Sequence, residues 1–256
     1  PVFRYDRPQA GRYREHHQFG VEVLGDGDPL VDAEVVDLAW RLMADLRLSG
    51  LTLLINSVGD PQCRPAYVSK LKTYYYEHKG QLCSDCLSRL ERNPLRLLDC
   101  KQDDCRQLSR EAPHSIDNLC HPCQDHWAQL QHYLSLLNVP HQVDHRLVRG
   151  LDYYTRTVFE IQPHGGGAQS TICGGGRYDG LIEQLGGKHT PGIGFATGIE
   201  RLILNLKRQK VDVAAEETPN YLVVSVGDST RGMALEIAGL IRGLGKSATI
   251  GSSARS

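Results

Sequence analysis

The sequence predicts a mixed helix-and-strand (α+β) fold, and three observations carry that reading. Strand-like segments at residues 2–24, 51–56 and 144–162 lie on both sides of a polar, helical, Cys-rich stretch. A Gly-rich run then leads into a short helical segment. Last, a strand–helix–strand pattern starts near residue 219.

The elements follow in order. Residues 2–24 alternate aromatic or apolar with charged positions and are broken by Arg7-Pro8-Gln9-Ala10-Gly11. Pro and Gly so placed mark a loop between two strands. Asp32 is the expected cap of a helix that carries Val35, Val36, Leu38, Ala39, Leu42, Met43 and Leu46 at helical spacing, with Gly50 as its stop. Leu51–Asn56 reads as a buried strand. From Pro61 to Asn138 the chain turns polar, and its clearest helix runs through Trp127, Leu130, Leu134 and Leu137. Because it separates two strand-rich regions, this stretch is expected to be an inserted helical domain. Strands at 144–149 and 153–162, a helix at Ile199–Leu206 and a charged linker complete the middle of the chain. Tyr221–Val226, a helix through Arg242 and a further strand then begin an α/β unit with a parallel sheet. The expected division is 1–60, 61–139, 140–206, a linker at 207–218, and 219–256.

Composition excludes several classes. At 256 residues the chain exceeds one compact domain. Its 29 Lys and Arg against 30 Asp and Glu do not announce a nucleic-acid binder, so any RNA contact must come from a local patch. No apolar run approaches the roughly 20 residues of a membrane helix, and no signal peptide opens the chain. It starts with Pro-Val and stops at Gly-Ser-Ser-Ala-Arg-Ser just after a β-α-β pattern has begun, so both ends read as cut from something longer.

Of eight cysteines, seven lie between Cys63 and Cys123. With no secretory signal, a disulfide framework is not expected. Cys83-x-x-Cys86 and Cys120-x-x-Cys123 are the pairs that would supply a tetrahedral zinc. Their separation exceeds that of compact zinc ribbons and there are surplus candidates. Free thiols are therefore expected, with structural zinc on Cys83, Cys86, Cys120 and Cys123 as the alternative.

The most informative stretch is Arg149-Gly-Leu-Asp-Tyr-Tyr-Thr-Arg-Thr-Val-Phe-Glu160. A guanidinium stands at a Gly turn and a β-favouring aromatic run follows, which aims a fixed charge and two phenols at a site on a sheet. Three segments together carry a resemblance. Phe3–Gly20 resembles motif 2 of class II aminoacyl-tRNA synthetases in its histidyl form. Leu147–Thr157 resembles the signature peptide of histidyl-tRNA synthetases, and Gly192–Leu202 resembles class II motif 3. Their order and spacing, and the insertion between them, also match, so the resemblance spans essentially the whole chain.

That resemblance implies an antiparallel sheet flanked by helices, and ATP-dependent activation of L-histidine followed by transfer to histidine tRNA. It implies Mg²⁺ beside the ATP, a cytoplasmic homodimer and no membrane. The chemistry joins a carboxylate to the α-phosphorus of ATP. The nucleophile is already ionised near neutral pH, so what must be supplied is alignment and charge stabilisation. Arg forks do both. By the family pattern Arg4 holds the α-phosphate, Arg201 the γ-phosphate, and Arg149 bridges the α-phosphate and the substrate carboxylate. Asp6 and His16 stand where relatives usually have Glu and Phe at the adenine, a departure that leaves ATP affinity kept or modestly weakened. Arg12, with Arg14, lies on the motif 2 loop and counts among the ATP-side residues. Glu22 and Tyr154 read the imidazole, Gln18 lies near the α-amino group, and Tyr153 and Tyr178 line the pocket.

The family's motif 1, its Thr/Glu loop and most of its anticodon-binding domain fall outside these residues. The resemblance therefore implies that this stretch alone is inactive. Two competing functions share the fold. A regulatory subunit of ATP phosphoribosyltransferase typically lacks the insertion and has eroded ATP-binding arginines, whereas here Arg4, Arg149 and Arg201 all stand. A synthetase-like module of a stress-sensing kinase would not be expected to keep the signature peptide intact.

Overall fold

The computed structural model describes residues 1–5, 13–164, 171–212 and 219–252. It divides into two compact units, Pro1–Val211 and Asp212–Ser256. In the first, β1 (Val2–Phe3), β2 (Glu15–His16) and β3 (Gln18–Leu24) precede α1 (Pro29–Asp45) and β4 (Leu51–Ser57). Helices α2 (Arg64–Glu77), α3 (Ser84–Arg92), α4 (Asp103–Glu111) and α5 (His121–Leu136) follow, with short 3-10 turns between them. Then come β5 (Gln142–Val143), β6 (Thr155–Pro163), β7 (Cys173–Arg177), α6 (Leu181–Gln184), β8 (Gly192–Gly198) and α7 (Ile199–Arg208).

The mixed fold is as expected, and its centre is a six-stranded sheet in the order β3-β8-β7-β6-β4-β5. Every pairing is antiparallel except β4 with the edge strand β5. Phe159, Ile161, Ile193 and Phe195 point from this sheet into the main core, where they meet Val36, Ala39 and Met43 of α1. Each such fully buried side chain contributes roughly 1.5–3 kcal/mol.

Two helix signals resolve differently from expectation. The cap of α1 is Asp28, whose carboxylate accepts from Leu30 N at 2.8 Å, with Pro29 pre-set for the first turn. Asp32 instead sits inside that turn, fully buried against Arg177. The helix also stops before Gly50. Arg47 takes a left-handed φ of 57°, and Leu48 N donates back to Met43 O at 3.0 Å, which closes the end.

The inserted stretch is not a separate unit. Leu130 and Leu134 of α5 belong to the main core and α5 packs on α1, because its apolar stripe matches the open face of that helix. Helices α2 to α4 form a second core with Tyr67, Leu71, Tyr75 and Leu90, and Leu147, Val148 and Val158 join it from the sheet side. Nor are residues 144–149 a strand. Leu147 N closes a turn on Asp144 O at 2.9 Å, and the Asn56 side chain donates to the carbonyls of His145 and Leu147. A buried amide that captures those carbonyls outweighs local β preference.

In the second unit, β9 (Tyr221–Ser225) pairs in parallel with β10 (Ala248–Ser252), and α8 (Arg231–Gly243) makes the crossover between them. Ala234 and Ala238 are the buried side chains of α8. No helix of the described residues is long and apolar enough to cross a membrane.

Candidate active site

Sheet order brings distant segments together. The β3–β8 register sets Gln18 opposite Gly198, at the point where α7 begins. His17 fixes that junction: its backbone N–H and its Nδ1 both meet Glu200, the ring at 2.8 Å, and its carbonyl accepts from Ile199 N. The bond with His17 draws the Glu200 carboxyl below its ordinary pKa. Arg201 follows in the first turn of α7 and donates to Thr171 O at 2.6 Å. Across the sheet end, Arg4 donates through Nε to Tyr13 O at 2.8 Å, held in place by the β1–β2 pair.

Arg149 arrives from the loop before β6. It pairs through Nη1 with Glu160, whose other oxygen accepts from Thr171 Oγ1 at 2.7 Å. Glu160 stands opposite Gly174 in the β6–β7 register, and the guanidinium lies flat over that glycine. A Cβ there would come within 2.5 Å of Arg149 Nη1, so the close approach needs Gly. Burial works against the Arg149 charge, but Glu160 outweighs it and lifts the pKa above its ordinary value. Its Nε is buried with no hydrogen-bond partner among the described residues.

These residues border one cavity of about 270 Å³, which Arg4, His16, Gln18, Arg149 and Arg201 all line. Burial and the neighbouring Arg4 charge push the His16 pKa down, and its Nδ1 lacks a partner among the described residues. Asp6 and Arg12 lie outside the described residues. Glu200 also borders the cavity, as do Glu160, Thr171 and Cys173, which were not picked out from sequence. Glu160 left a signal: it is the one carboxylate in a strand whose neighbours Phe159 and Ile161 are fully buried.

Glu22, Tyr153, Tyr154 and Tyr178 do not border this cavity but form a connected string beside it. Tyr178 Oη donates to Glu22, which occupies space that only Gly194 across the β3–β8 pair leaves open. Tyr153 meets Tyr178 edge-on at 6.0 Å and Tyr154 at 4.6 Å. Arg149 then sits 5.7 Å over the Tyr154 ring, which joins the string to the cavity. Burial raises the pKa of Tyr153 and of Tyr178, so both phenols stay protonated as donors near neutral pH.

Three guanidinium groups around one cavity make a phosphate and carboxylate site. The adjoining carboxylate and phenols can pair with a small ring that carries N–H groups. The zinc set named as the alternative to free thiols, Cys83, Cys86, Cys120 and Cys123, does not assemble. Cys83 and Cys86 gather with Cys100 and Cys105, whereas Cys120 and Cys123 gather with Asp60 and Cys63. The helices carry the two pairs into different cores, so sequence order misgroups them.

Comparison with known proteins points to one family. A family model described as histidyl-tRNA synthetase matches residues 85–202. The histidine–tRNA ligase of Dehalococcoides mccartyi is 54% identical over 244 residues, which cover 95% of this chain and 58% of that protein. That of Desulforamulus reducens is 52% identical over 227 residues, 89% of this chain and 54% of the relative. The chain thus spans somewhat over half the length of the curated relatives it matches. Among solved structures, apo histidyl-tRNA synthetase of S. aureus superposes with a TM-score of 0.76 at 37% identity, covering 100% of this chain and 62% of that one. By its fold, its motifs and these likenesses, the chain belongs to the histidyl-tRNA synthetase family.

Proposed function

We propose that this chain carries the histidine-activating centre of a histidine–tRNA ligase. The observation behind this reading is the convergence of Arg4, Arg149 and Arg201 on one cavity. In the first step the histidine carboxylate attacks the α-phosphorus of ATP. A carboxylate O–P bond forms, the bond to the β-phosphate oxygen breaks, and pyrophosphate leaves. No base is needed. Arg149 and Arg4 neutralise the α-phosphoryl oxygens as charge grows there, and Arg201 holds the far phosphate. Glu22, held by Tyr178, accepts from one imidazole N–H and Tyr154 meets the other nitrogen, while Gln18 faces the α-amino group. His16 packs at the adenine end, and the family resemblance assigns Asp6 and Arg12 to ATP as well.

Mg²⁺ bound with the ATP neutralises phosphate charge. The ion would be held mainly by phosphate oxygens, since Glu160 at the cavity is engaged by Arg149 and Thr171, and Glu200 by His17. Transfer to histidine tRNA then completes the reaction, carried out by the full-length protein as a cytoplasmic homodimer. The regulatory-subunit alternative has the grouped arginines against it.

The test is histidine-dependent exchange of pyrophosphate into ATP by the full-length protein. Arg149→Ala should lower it by about 10²–10³, the usual loss when one oxyanion donor is removed from a dry site. Exchange retained within a few-fold would sink the assignment.

A further inference from the structure

The cysteine clusters lie outside the chemistry described above, and one of them is built like a metal site. Helix α3 starts directly after Cys83, so its first turn sets Cys83 and Cys86 on one side. Cys105 lies in the first turn of α4, and Cys100 ends the turn between the two helices. All four sulfurs lie within 4.8 Å of one another. A tetrahedral zinc with bonds of about 2.3 Å would set sulfurs about 3.8 Å apart, and Cys83 Sγ and Cys100 Sγ are 3.9 Å apart. The backbone N–H of Cys83 also donates to Cys105 Sγ at 3.3 Å, a bond that favours a thiolate. The positive ends of two helices face the same sulfurs.

The surroundings explain why such a cation is useful. Helices α3 and α4 have nine residues each, too short to hold themselves. Their buried residues are few: Cys86 and Leu90 in one, Cys105, Leu108 and Ser109 in the other. The turn between them touches the loop that carries Arg149. Asn93 Nδ2 donates to Asp152 Oδ1 at 2.6 Å. Arg96, itself fixed to Asp99 at 3.0 Å, lies against Gly150.

We propose that Cys83, Cys86, Cys100 and Cys105 hold a structural zinc ion that staples α3 to α4 and, through Asn93 and Arg96, braces the 149–154 loop. The spacing C-x2-C-x13-C-x4-C closes the site within one stretch of chain. The other cluster is a natural control. Its Asp60 carboxylate already accepts N–H bonds from Gln62 and Cys63 at 3.0 and 3.2 Å.

The experiment is metal analysis of the full-length protein purified without chelator from zinc-supplemented cells. Wild type should carry zinc, and Cys86→Ser with Cys105→Ser should carry one equivalent per chain less. Cys123→Ser should keep that equivalent. Cobalt exchanged into wild-type protein gives a reading independent of whether the double variant folds: it should show the charge-transfer and d–d bands of a tetrahedral thiolate site. Zinc-free wild type with no such cobalt spectrum would overturn the proposal, as would disulfides among these four cysteines. Arg149→Ala should keep its zinc, which separates failure of this site from failure of the catalytic reading.

Discussion

Two arginines beside one sheet, Arg149 in the loop before β6 and Arg177 in β7, face carboxylates in opposite ways. Arg177 is fully buried and saturated. Its Nε donates to Asp32 at 3.0 Å, Nη1 to Asp26 O and Asp179, and Nη2 to Asp28 O and Asp32. Arg149 keeps a 22% exposed side chain, leans on Glu160 through Nη1, and holds a buried Nε with no partner among the described residues. The first guanidinium has spent its donors on the fold, where it ties β7 to the start of α1. The second leaves one unpaired, on a side chain that borders a cavity. On the proposed reading, unspent hydrogen-bonding capacity is what distinguishes Arg149 from the saturated Arg177.

The sharpest way to break this contrast is to exchange the damage. Arg177→Leu leaves the Asp32 carboxylate buried without its partner and should cost about 3–5 kcal/mol of stability. Chemical denaturation would show it, and a loss below 1 kcal/mol would refute the structural role. Arg149→Ala should instead spare the denaturation midpoint while exchange collapses.

Gly174→Ala addresses Arg149 without touching it. The added methyl meets only the far end of that flexible side chain. The fold should therefore survive while the guanidinium shifts, and exchange should fall about 10²-fold, as for an ångström-scale misplacement. Unaltered exchange would mean that the position of Arg149 over this glycine is immaterial.

The smallest effect concerns pH. His126 lies 3.4 Å from Asp32, and burial, helped by Arg177 and Arg156, pushes its pKa down to about 3. The unfolded chain binds the proton more tightly, so this contribution is complete above about pH 6.5 and is lost as pH falls toward 3. His126→Gln should flatten the stability profile by about 2 kcal/mol between pH 6.5 and 5. An unchanged acid slope in urea titrations would remove His126 from the account.

Much of this was legible in the chain. Helical spacing located α1 and α5, and the Arg4, Arg149 and Arg201 segments do meet at one cavity. What the sequence hid was decided by tertiary partners. Asp28 and Asp32 both flank the start of α1, and only the buried Arg177 assigns one to capping and the other to pairing. Asn56 bent residues 144–149 out of a strand. The cysteine pairs drew their partners from different helices, and no spacing rule along the chain reveals that.

Strands β4 and β6 pair from Leu51 opposite Pro163 to Ser57 opposite Thr157, yet residues 58–154 run between them. The entropic cost of closing a loop grows only with the logarithm of its length, about 0.6 kcal/mol for each doubling. Length itself is therefore almost neutral in this excursion. What the excursion must keep is α5, whose Leu130 and Leu134 close the core behind these two strands, and β5, which pairs with β4.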